Sequence, residues 1–228
     1  MFKFDDNTVT YLLNLMKTLE GEIDKTICGV FDKTGCCPQE EGCTKMHRQP
    51  EISRCLVFHH IYPDPELFIN SLPDPKIIQI TKEQQQNLFN AFYMDMVSLL
   101  AQFGPLEDLV VASNKSDTLS GNALAMFREV DGAYAAYMAL NGEYYCGRKI
   151  HITFSPTLRL TSAICRVDEC KLGLKCHFIH PFNPSPDVYS DCFSRSTRQF
   201  PTPQREFKKR QYFNSPQDLL YGKIKMKD

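Results

Sequence analysis

The stretch LEDLVVASNKSDTLSGNALAMF, residues 106–127, contains two apolar runs on either side of a polar loop. The runs are 106–111 and 121–127, and the loop between them is 112–118. Short apolar runs bounded by polar turn residues are typical of β-strands. The stretch therefore predicts two consecutive strands.

Helical and strand patterns continue on both sides of this pair. Residues 83–102 and 129–140 have helical periodicity, and the short apolar runs KIIQIT (76–81) and KIHITF (149–154) read as strands. The predicted order over 76–156 is βαββαβ. This is the α+β, ferredoxin-like fold to which the RNA recognition motif (RRM) belongs.

Two cysteine-rich segments, 25–50 and 163–181, lie on either side of this unit. The first has the spacing C-x8-C-x5-C-x3-H and the second C-x4-C-x5-C-x3-H, and three thiolates with one imidazole suit tetrahedral Zn²⁺. Four protein ligands leave no open position for a reacting water, so we expect two structural zinc ions. The expected ligands are Cys28, Cys37, Cys43, His47, Cys165, Cys170, Cys176 and His180.

The alternative explanation is a disulfide or a chance grouping of buried cysteines. No signal peptide is evident, and a reducing compartment favours metal. We expect Cys36, Cys55, Cys146 and Cys192 to be ordinary thiols. Cys36 is adjacent to Cys37, but only Cys37 keeps both spacings.

The remaining segments are predicted from composition. An apolar stripe predicts a helix within 1–24. The segment 51–75 reads as a proline-containing linker with a helical pattern at 52–62. The segment 182–228 reads as an extended or partly disordered tail, with any helix near 216–221.

Charge is divided unevenly along the chain. Residues 61–154 carry 6 Lys and Arg against 11 Asp and Glu, whereas residues 155–228 carry 13 against 7. A phosphate backbone is therefore repelled by the middle and attracted by the end.

Both cysteine-rich segments combine cations with aromatic residues, as modules that hold single-stranded RNA do. The third strand lacks the aromatics with which an RRM stacks bases: Asn122 and Leu124 occupy those positions, and the predicted first strand offers Gln79. We therefore expect RNA to contact the two cysteine-rich segments, which are predicted zinc fingers, and not the β-sheet of the RRM-like unit. The finger residues are Phe31, Lys33, Lys45 and Arg48 in the first and Arg166, Lys171, Lys175, His177 and Phe178 in the second.

The layout of finger, atypical RRM and finger resembles the small subunit of the splicing factor U2AF. Spaced matches carry the resemblance from about Tyr11 to His180. They are Asp24-Lys25, Lys33-Thr34-Gly35, His47 with Pro50, Ile61-Tyr62 with Pro65, Gly121-Asn122, Ser155-Pro156 and Ala163 to Arg166.

The resemblance implies that the two fingers recognise the AG dinucleotide at the 3′ splice site. It also implies that the RRM-like domain, a U2AF homology motif, binds a tryptophan-bearing segment of a large U2AF subunit. Thr44 stands where the family has an RNA-contacting serine, and Lys45 and Met46 follow it. Arg166 and Phe178 are the counterparts in the second finger.

The chain departs from the family pattern at four places. One is the first RRM helix, where most of the expected acidic residues are absent and Asp95 is the main one left. The second finger has x4 where the family has x7, the tail has no Arg-Ser repeat, and the docking motif Arg-x-Phe is replaced by Glu143-Tyr144-Tyr145. We expect docking through Tyr144 and Tyr145 against the first RRM helix. The expected partner-binding residues are Phe92, Asp95, Met96, Glu143, Tyr144 and Tyr145.

These observations predict a nuclear splicing factor that binds pre-mRNA and forms a heterodimer with a large U2AF subunit. The alternatives are a CCCH protein that binds messenger RNA in another pathway and the minor-spliceosome paralog of the family. An enzyme is not expected, because no catalytic pair, triad spacing or phosphate-binding loop is present and both metal sets are closed.

Overall fold

The computed structural model describes residues 27–74 and 79–196, with side chains described as far as Phe193. Its main feature is a five-stranded antiparallel sheet with a separate two-stranded hairpin. The sheet strands are β1 (Cys55–Phe58), β2 (Leu106–Ala112), β3 (Ala123–Phe127), β6 (Ile152–Ser155) and β7 (Pro181–Phe182), and the hairpin strands are β4 (Tyr144–Tyr145) and β5 (Arg148–Lys149).

Five α-helices lie within the described ranges. They are α1 (Gly29–Thr34), α2 (Pro65–Asn70), α3 (Lys82–Leu100), α4 (Val130–Leu140) and α5 (Pro186–Ser196). Helix α3 begins with a capping box in which the Thr81 hydroxyl accepts from the Gln84 amide at 3.1 Å and the Gln84 side chain accepts from the Thr81 amide at 2.9 Å. This pairing satisfies two groups that a helix start leaves without partners.

The sheet order β6-β1-β3-β2-β7 confirms the predicted fold class. Strand β3 lies between β1 and β2, as the split βαβ arrangement requires. In register, Leu56 of β1 faces Ala125 of β3 on one side and Phe154 of β6 on the other. The architecture is therefore α+β and RRM-like, with one cysteine-rich segment before it and one after it.

The first strand is not where the sequence pattern predicted it. Residues 79–81 form no strand and 75–78 lie outside the described residues, so the prediction of a strand at 76–81 is wrong in the part that can be compared. The first strand is β1, within the segment predicted as a linker with a helical pattern at 52–62. All four of its residues are buried, and an apolar run this short cannot be distinguished by periodicity from a segment of a buried helix.

Two apolar cores lie on opposite faces of the sheet. Leu56 and Phe58 of β1 belong to the core beneath helices α3 and α4. Cys55 and Val57, which point the other way, belong to a second core on the opposite face. The second core also contains residues from both cysteine-rich segments and the chain leading to the second: Cys36, Leu160, Ala163 and Ile179.

The segment after residue 180 is folded as far as it is described, which corrects the prediction of an extended tail. Strand β7 pairs with β2, and Phe182 stacks on Phe89 of α3 with ring centroids 4.4 Å apart. Val188, Cys192 and Phe193 of α5 pack against the same core. These apolar residues are spread among prolines and polar residues, so composition alone indicated a disordered segment.

Some sequence predictions fall on residues that cannot be compared. The helix within 1–24 and the tail beyond residue 196, including 216–221, lie outside the described residues. Within the described ranges, no helix combines the length and apolar character needed to cross a bilayer.

We predict that Phe182→Ala lowers the free energy of unfolding by about 2–3 kcal/mol, below the value for a fully buried phenylalanine because Phe182 is partly exposed. Urea unfolding of the full chain measures this. Leu158→Ala is the control, because that side chain is 81% exposed. Equal stability of both variants would show that β7 does not stabilise the sheet.

Candidate zinc sites and RNA-binding surface

The first predicted metal set is assembled by residues 28–47, hereafter finger 1. Its three sulfurs and one imidazole nitrogen lie within 4.8 Å of one another. The Cys28 amide donates to the carbonyl of Met46 at 2.9 Å, which joins the start of the finger to its end. Helix α1 begins immediately after Cys28 and ends at Thr34, and it is capped by Gly35, whose φ of 71° lies in the left-handed region that glycine tolerates.

The second set is assembled by residues 165–180, hereafter finger 2. Its four ligand atoms also lie within 4.8 Å of one another. The Cys165 amide donates to the carbonyl of Ile179 at 2.9 Å, so this finger is closed in the same way as finger 1. The shorter x4 spacing therefore still brings all four residues together.

The geometry of both sets fits a tetrahedral ion. Cys28 and Cys37 have sulfurs 3.8 Å apart, as do Cys165 and Cys176. A tetrahedron with Zn–S bonds of about 2.3 Å places its sulfurs about 3.8 Å apart. The Nε2 atoms of His47 and His180 are buried without a hydrogen-bond partner, which is unfavourable unless each nitrogen has a ligand. Each set could therefore hold one metal ion.

Cys36 is separated from the first set by the direction of its side chain. Its sulfur accepts a hydrogen bond from the Asn122 side chain at 3.3 Å, on the sheet. Burial raises the pKa of the Cys36 thiol to about 12. The direction of its side chain toward the sheet, away from the other sulfurs, is what excludes it from the set. Burial likewise raises the pKa of Cys55 to about 12, whereas Cys146 is exposed on the hairpin.

Finger 1 lies directly on the sheet. A Cβ on Gly35 would come within 2.8 Å of the side chains of Val57 and Ser155, so only glycine permits this approach. The Thr157 hydroxyl also donates to the carbonyl of Lys33 at 2.7 Å.

Finger 2 is held by a side chain that no sequence motif singles out. The Asn114 amide group donates to the carbonyl of Phe178 at 3.0 Å and accepts from the amide of His180 at 2.8 Å. The partners are more than 60 residues apart, and no local pattern signals such a contact. Asn114 therefore fixes finger 2 against the loop that follows β2.

The two fingers together cover the sheet face on which an RRM stacks RNA bases. Asn122 and Leu124 occupy stacking positions of the RRM pattern and are both fully buried. Asn122 is structural: it donates to the Thr118 carbonyl and accepts from the His60 amide. Gln79 lies outside every strand, because the first strand is β1.

The fingers meet through two of the predicted RNA-binding residues. The Lys33 ammonium lies 5.6 Å from the centroid of the Phe178 ring, which joins the fingers at an edge that carries both a cation and an aromatic. Seven other predicted RNA-binding residues are exposed in the two fingers. They are Thr44, Lys45 and Met46 in finger 1 and Arg166, Lys171, Lys175 and His177 in finger 2.

Two predicted RNA-binding residues are already engaged within finger 1. Phe31 stacks on His47 with ring centroids 4.5 Å apart and an interplanar angle of 7°. Arg48 forms an exposed ion pair with Asp32 at 3.3 Å. An exposed pair of this kind is weak, so Arg48 can exchange Asp32 for a phosphate.

The predicted partner-binding residues divide into buried and exposed ones. Tyr145 is 7% exposed, and its hydroxyl donates to the Asp95 carboxylate at 2.7 Å. Its ring packs edge-on against Phe92. Burial and the bond to Asp95 raise the pKa of Tyr145, so its hydroxyl keeps the proton that it donates.

Only part of this set is accessible to a partner. Met96 is fully buried, whereas Glu143, just before the hairpin, and Tyr144, in its first strand, are exposed. Tyr145 and Met96 therefore lie beneath the exposed residues of the predicted partner-binding set.

The sequence is similar to those of several curated splicing factors. It is 33% identical over 182 residues to a splicing factor U2af small subunit of Arabidopsis thaliana, covering 78% of this chain and 64% of that protein. It is 31% identical over 173 residues to the splicing factor U2AF 23 kDa subunit of Schizosaccharomyces pombe, covering 75% and 77%. Identity to the splicing factor U2AF 26 kDa subunit of Bos taurus is 27% over 197 residues, covering 85% and 88%.

The chain thus spans just under two thirds of the Arabidopsis protein and more than three quarters of the fission yeast protein. No protein-family model matches it. Among solved structures, the RRM of Rna15 covers 46% of this chain and 91% of its own, at 20% identity and a TM-score of 0.28. The strand order, rather than that likeness, carries the fold assignment.

Proposed function

The chain belongs to the family of small subunits of the splicing factor U2AF, and we propose that it binds the AG dinucleotide at the 3′ splice site of pre-mRNA through its two fingers. The observation that carries this proposal is the contact between Lys33 and Phe178, which joins the fingers along one edge. The sheet face that RNA occupies in a typical RRM is covered. The family is one of splicing factors and not of enzymes, and we propose that this member works in the nucleus.

Single-stranded RNA is held by aromatic or guanidinium planes that stack on bases and by cations that meet phosphates. Phe178 and Arg166 are suited to stacking, and Lys33, Lys45, Lys171 and Lys175 to phosphate contact. The basic last third of the chain attracts the same polyanion.

We further propose that each finger holds one structural Zn²⁺. A finger of about 20 residues buries too little apolar surface to offset its conformational entropy, and metal binding supplies about 10 kcal/mol in such sites. Since residues of both fingers complete the second core, the metal stabilises the sheet as well.

We predict that Cys43→Ser and Cys176→Ser each lose one zinc and weaken RNA binding at least tenfold, because the affected finger unfolds. Metal analysis and RNA titration of the full chain measure this. Cys146→Ser is the control, because this exposed cysteine lies outside both sets and its loss should leave two zinc ions. A metal-free wild-type chain that folds and binds RNA normally would refute structural zinc.

We predict that Phe178→Ala, Arg166→Ala and Lys45→Ala each weaken binding to a short AG-containing RNA by about 1–3 kcal/mol, the usual effect of losing a stacking or phosphate contact. Lys82→Ala is the charge-matched control, since Lys82 begins α3 on the helix side of the sheet. Fluorescence anisotropy at fixed salt is the measurement.

The same titrations are run with an RNA in which AG is replaced by UU. A wild-type chain that binds both RNAs equally would exclude splice-site recognition and favour a CCCH protein of another messenger RNA pathway. If Lys82→Ala lost as much affinity as Lys45→Ala, RNA binding would not be confined to the fingers.

We also propose that the RRM-like domain docks a large U2AF subunit through the surface formed by α3 and the hairpin β4–β5. The exposed Tyr144 is the aromatic contact, and Tyr145 supports the site from below through Phe92 and Asp95. Glu143 replaces an arginine of the family pattern. This exchange favours a basic partner segment.

We predict that Tyr144→Ala weakens binding of the partner's tryptophan-bearing peptide by about 2 kcal/mol, the scale of a hot spot. Phe68→Ala is the control, because this aromatic on α2 is 56% exposed. Calorimetry of the full chain measures the effect, and added salt should weaken the wild-type complex. If no complex with the partner peptide forms, the RRM-like domain serves only to position the two fingers.

A further inference from the structure

Helix α4 (Val130–Leu140) has an outer side that is almost entirely apolar. Its inner side packs on β1, β3 and β6, and its sequence VDGAYAAYMAL contains one charged residue, Asp131. On the outer side, Val130, Tyr134 and Met138 are 36%, 47% and 63% exposed. Residues four apart are neighbours on a helix surface, so these three side chains form one row, hereafter the α4 row.

Helix α3, which covers the same core, has an ordinary solvent-facing side. Its exposed residues include Lys82, Glu83, Asn87, Asp95 and Ser98. Polar side chains of this kind are what a surface helix presents to water, whereas a helix that is apolar on every side is normally covered by another part of the protein. The α4 row is exposed among the described residues, which indicates that its cover lies outside them.

The α4 row is too small to bind a separate protein. A helix of 11 residues is about 16 Å long and about 10 Å wide, so its outer side offers about 160 Å² in projection. A stable complex buries about 800 Å² on each partner, and a second copy of this chain would face the same shortage. A segment of the same chain needs less area, because tethering gives it an effective concentration in the millimolar range. The occupant that fits is therefore intramolecular.

We propose that the N-terminal segment, residues 1–24, packs on the α4 row through its predicted amphipathic helix. The periodic part of this segment, residues 8–19, carries the apolar stripe. Twelve helical residues extend about 18 Å, which matches the length of α4. Two apolar stripes of similar length can pack as a helix pair with axes about 8–10 Å apart. The stripe consists of Val9, Leu12, Leu13, Leu15, Met16 and Leu19.

The chain enters finger 1 near the sheet edge on which α4 packs. Finger 1 contacts β6, where a Cβ on Gly35 would come within 2.8 Å of the Ser155 side chain. Helix α4 contacts β6 from the opposite face, where the ring centroids of Tyr137 and Phe154 are 4.8 Å apart. Strand β6 is an outer strand of the five-stranded sheet. Residues 20–26 span about 23 Å when extended, about two layers of packed elements, so they can pass around this edge. The docked segment would then tie finger 1 to the helix side of the domain.

The C-terminal residues 197–228 fit the α4 row less well. They follow α5, which packs on α3 and β2, whereas α4 packs on β1, β3 and β6. Pro201, Pro203 and Pro216 also interrupt any helical pattern in this stretch. Their surplus of Lys and Arg would suit Asp131, but the row itself is uncharged.

The test places the photoreactive residue p-benzoylphenylalanine at position 134 of the zinc-loaded full chain, where it replaces an exposed tyrosine of similar shape. After irradiation and digestion, mass spectrometry should find it linked to a peptide from residues 1–24, with a yield that does not change when the protein is diluted tenfold. The same photoreactive residue in place of Phe68, an aromatic 56% exposed on α2, is the control and should not link to that segment. Linkage of position 134 to residues 197–228, to a second copy of the chain or to no peptide overturns the inference.

A charge placed on the α4 row gives the second measurement. Met138→Glu should release the segment, because a carboxylate is costly to bury, so that trypsin cleaves after Lys17 at least fivefold faster than in the wild type. Met94→Glu is the matched control, because Met94 is an exposed methionine of α3, and it should leave the rate unchanged. Zinc content and the urea midpoint are measured for each variant, so that a general loss of structure is not mistaken for undocking. Equal cleavage rates in Met138→Glu and wild type overturn the inference. Neither readout involves RNA, so the proposed function is tested separately.

Discussion

The rest of the structure depends on the packing of finger 1 and finger 2 against one face of a small sheet. Strand β1 is buried on both faces, with Leu56 and Phe58 under the helices and Cys55 and Val57 under the fingers. Neither finger has an apolar core of its own, because its interior is its set of ligands. Fingers and sheet therefore share one apolar core, and at Gly35 the backbone of finger 1 lies directly against side chains of the sheet.

This packing determines where RNA can bind. An RRM normally leaves the sheet face opposite its helices open and reads bases there with aromatics. Here that face is an apolar core that includes Val57, Leu124 and Met126. In the proposed function, bases bind instead at the edge where Lys33 of finger 1 meets Phe178 of finger 2. The sheet would then orient the two fingers rather than contact RNA itself.

Burial on both faces does not by itself decide whether local pattern reveals a strand, because β1 and β3 are both buried throughout and only β3 was predicted. Strands β2, β3 and β6 and helices α3 and α4 were predicted within a few residues, and both ligand sets followed from spacing alone. Strand β1 was missed because its apolar run of four residues is equally compatible with a segment of a buried helix. Strand β7 and helix α5 were missed because their stability comes from contacts with β2 and α3. The anchoring role of Asn114 depends on residues more than 60 positions away, which no single stretch reveals.

Local sequence was also insufficient at the predicted partner surface. It identified neighbouring residues but could not show which of them are exposed and which are buried. Tyr144 and Tyr145 are adjacent and chemically alike, yet the pleat of the hairpin turns one outward and the other onto Phe92 and Asp95. Asp95 is exposed as well, and a hydrogen bond from the Tyr145 hydroxyl to one of its oxygens does not neutralise a carboxylate. In the proposed docking mode, Asp95 and Glu143 therefore both present negative charge, and Tyr144 is the exposed aromatic beside them.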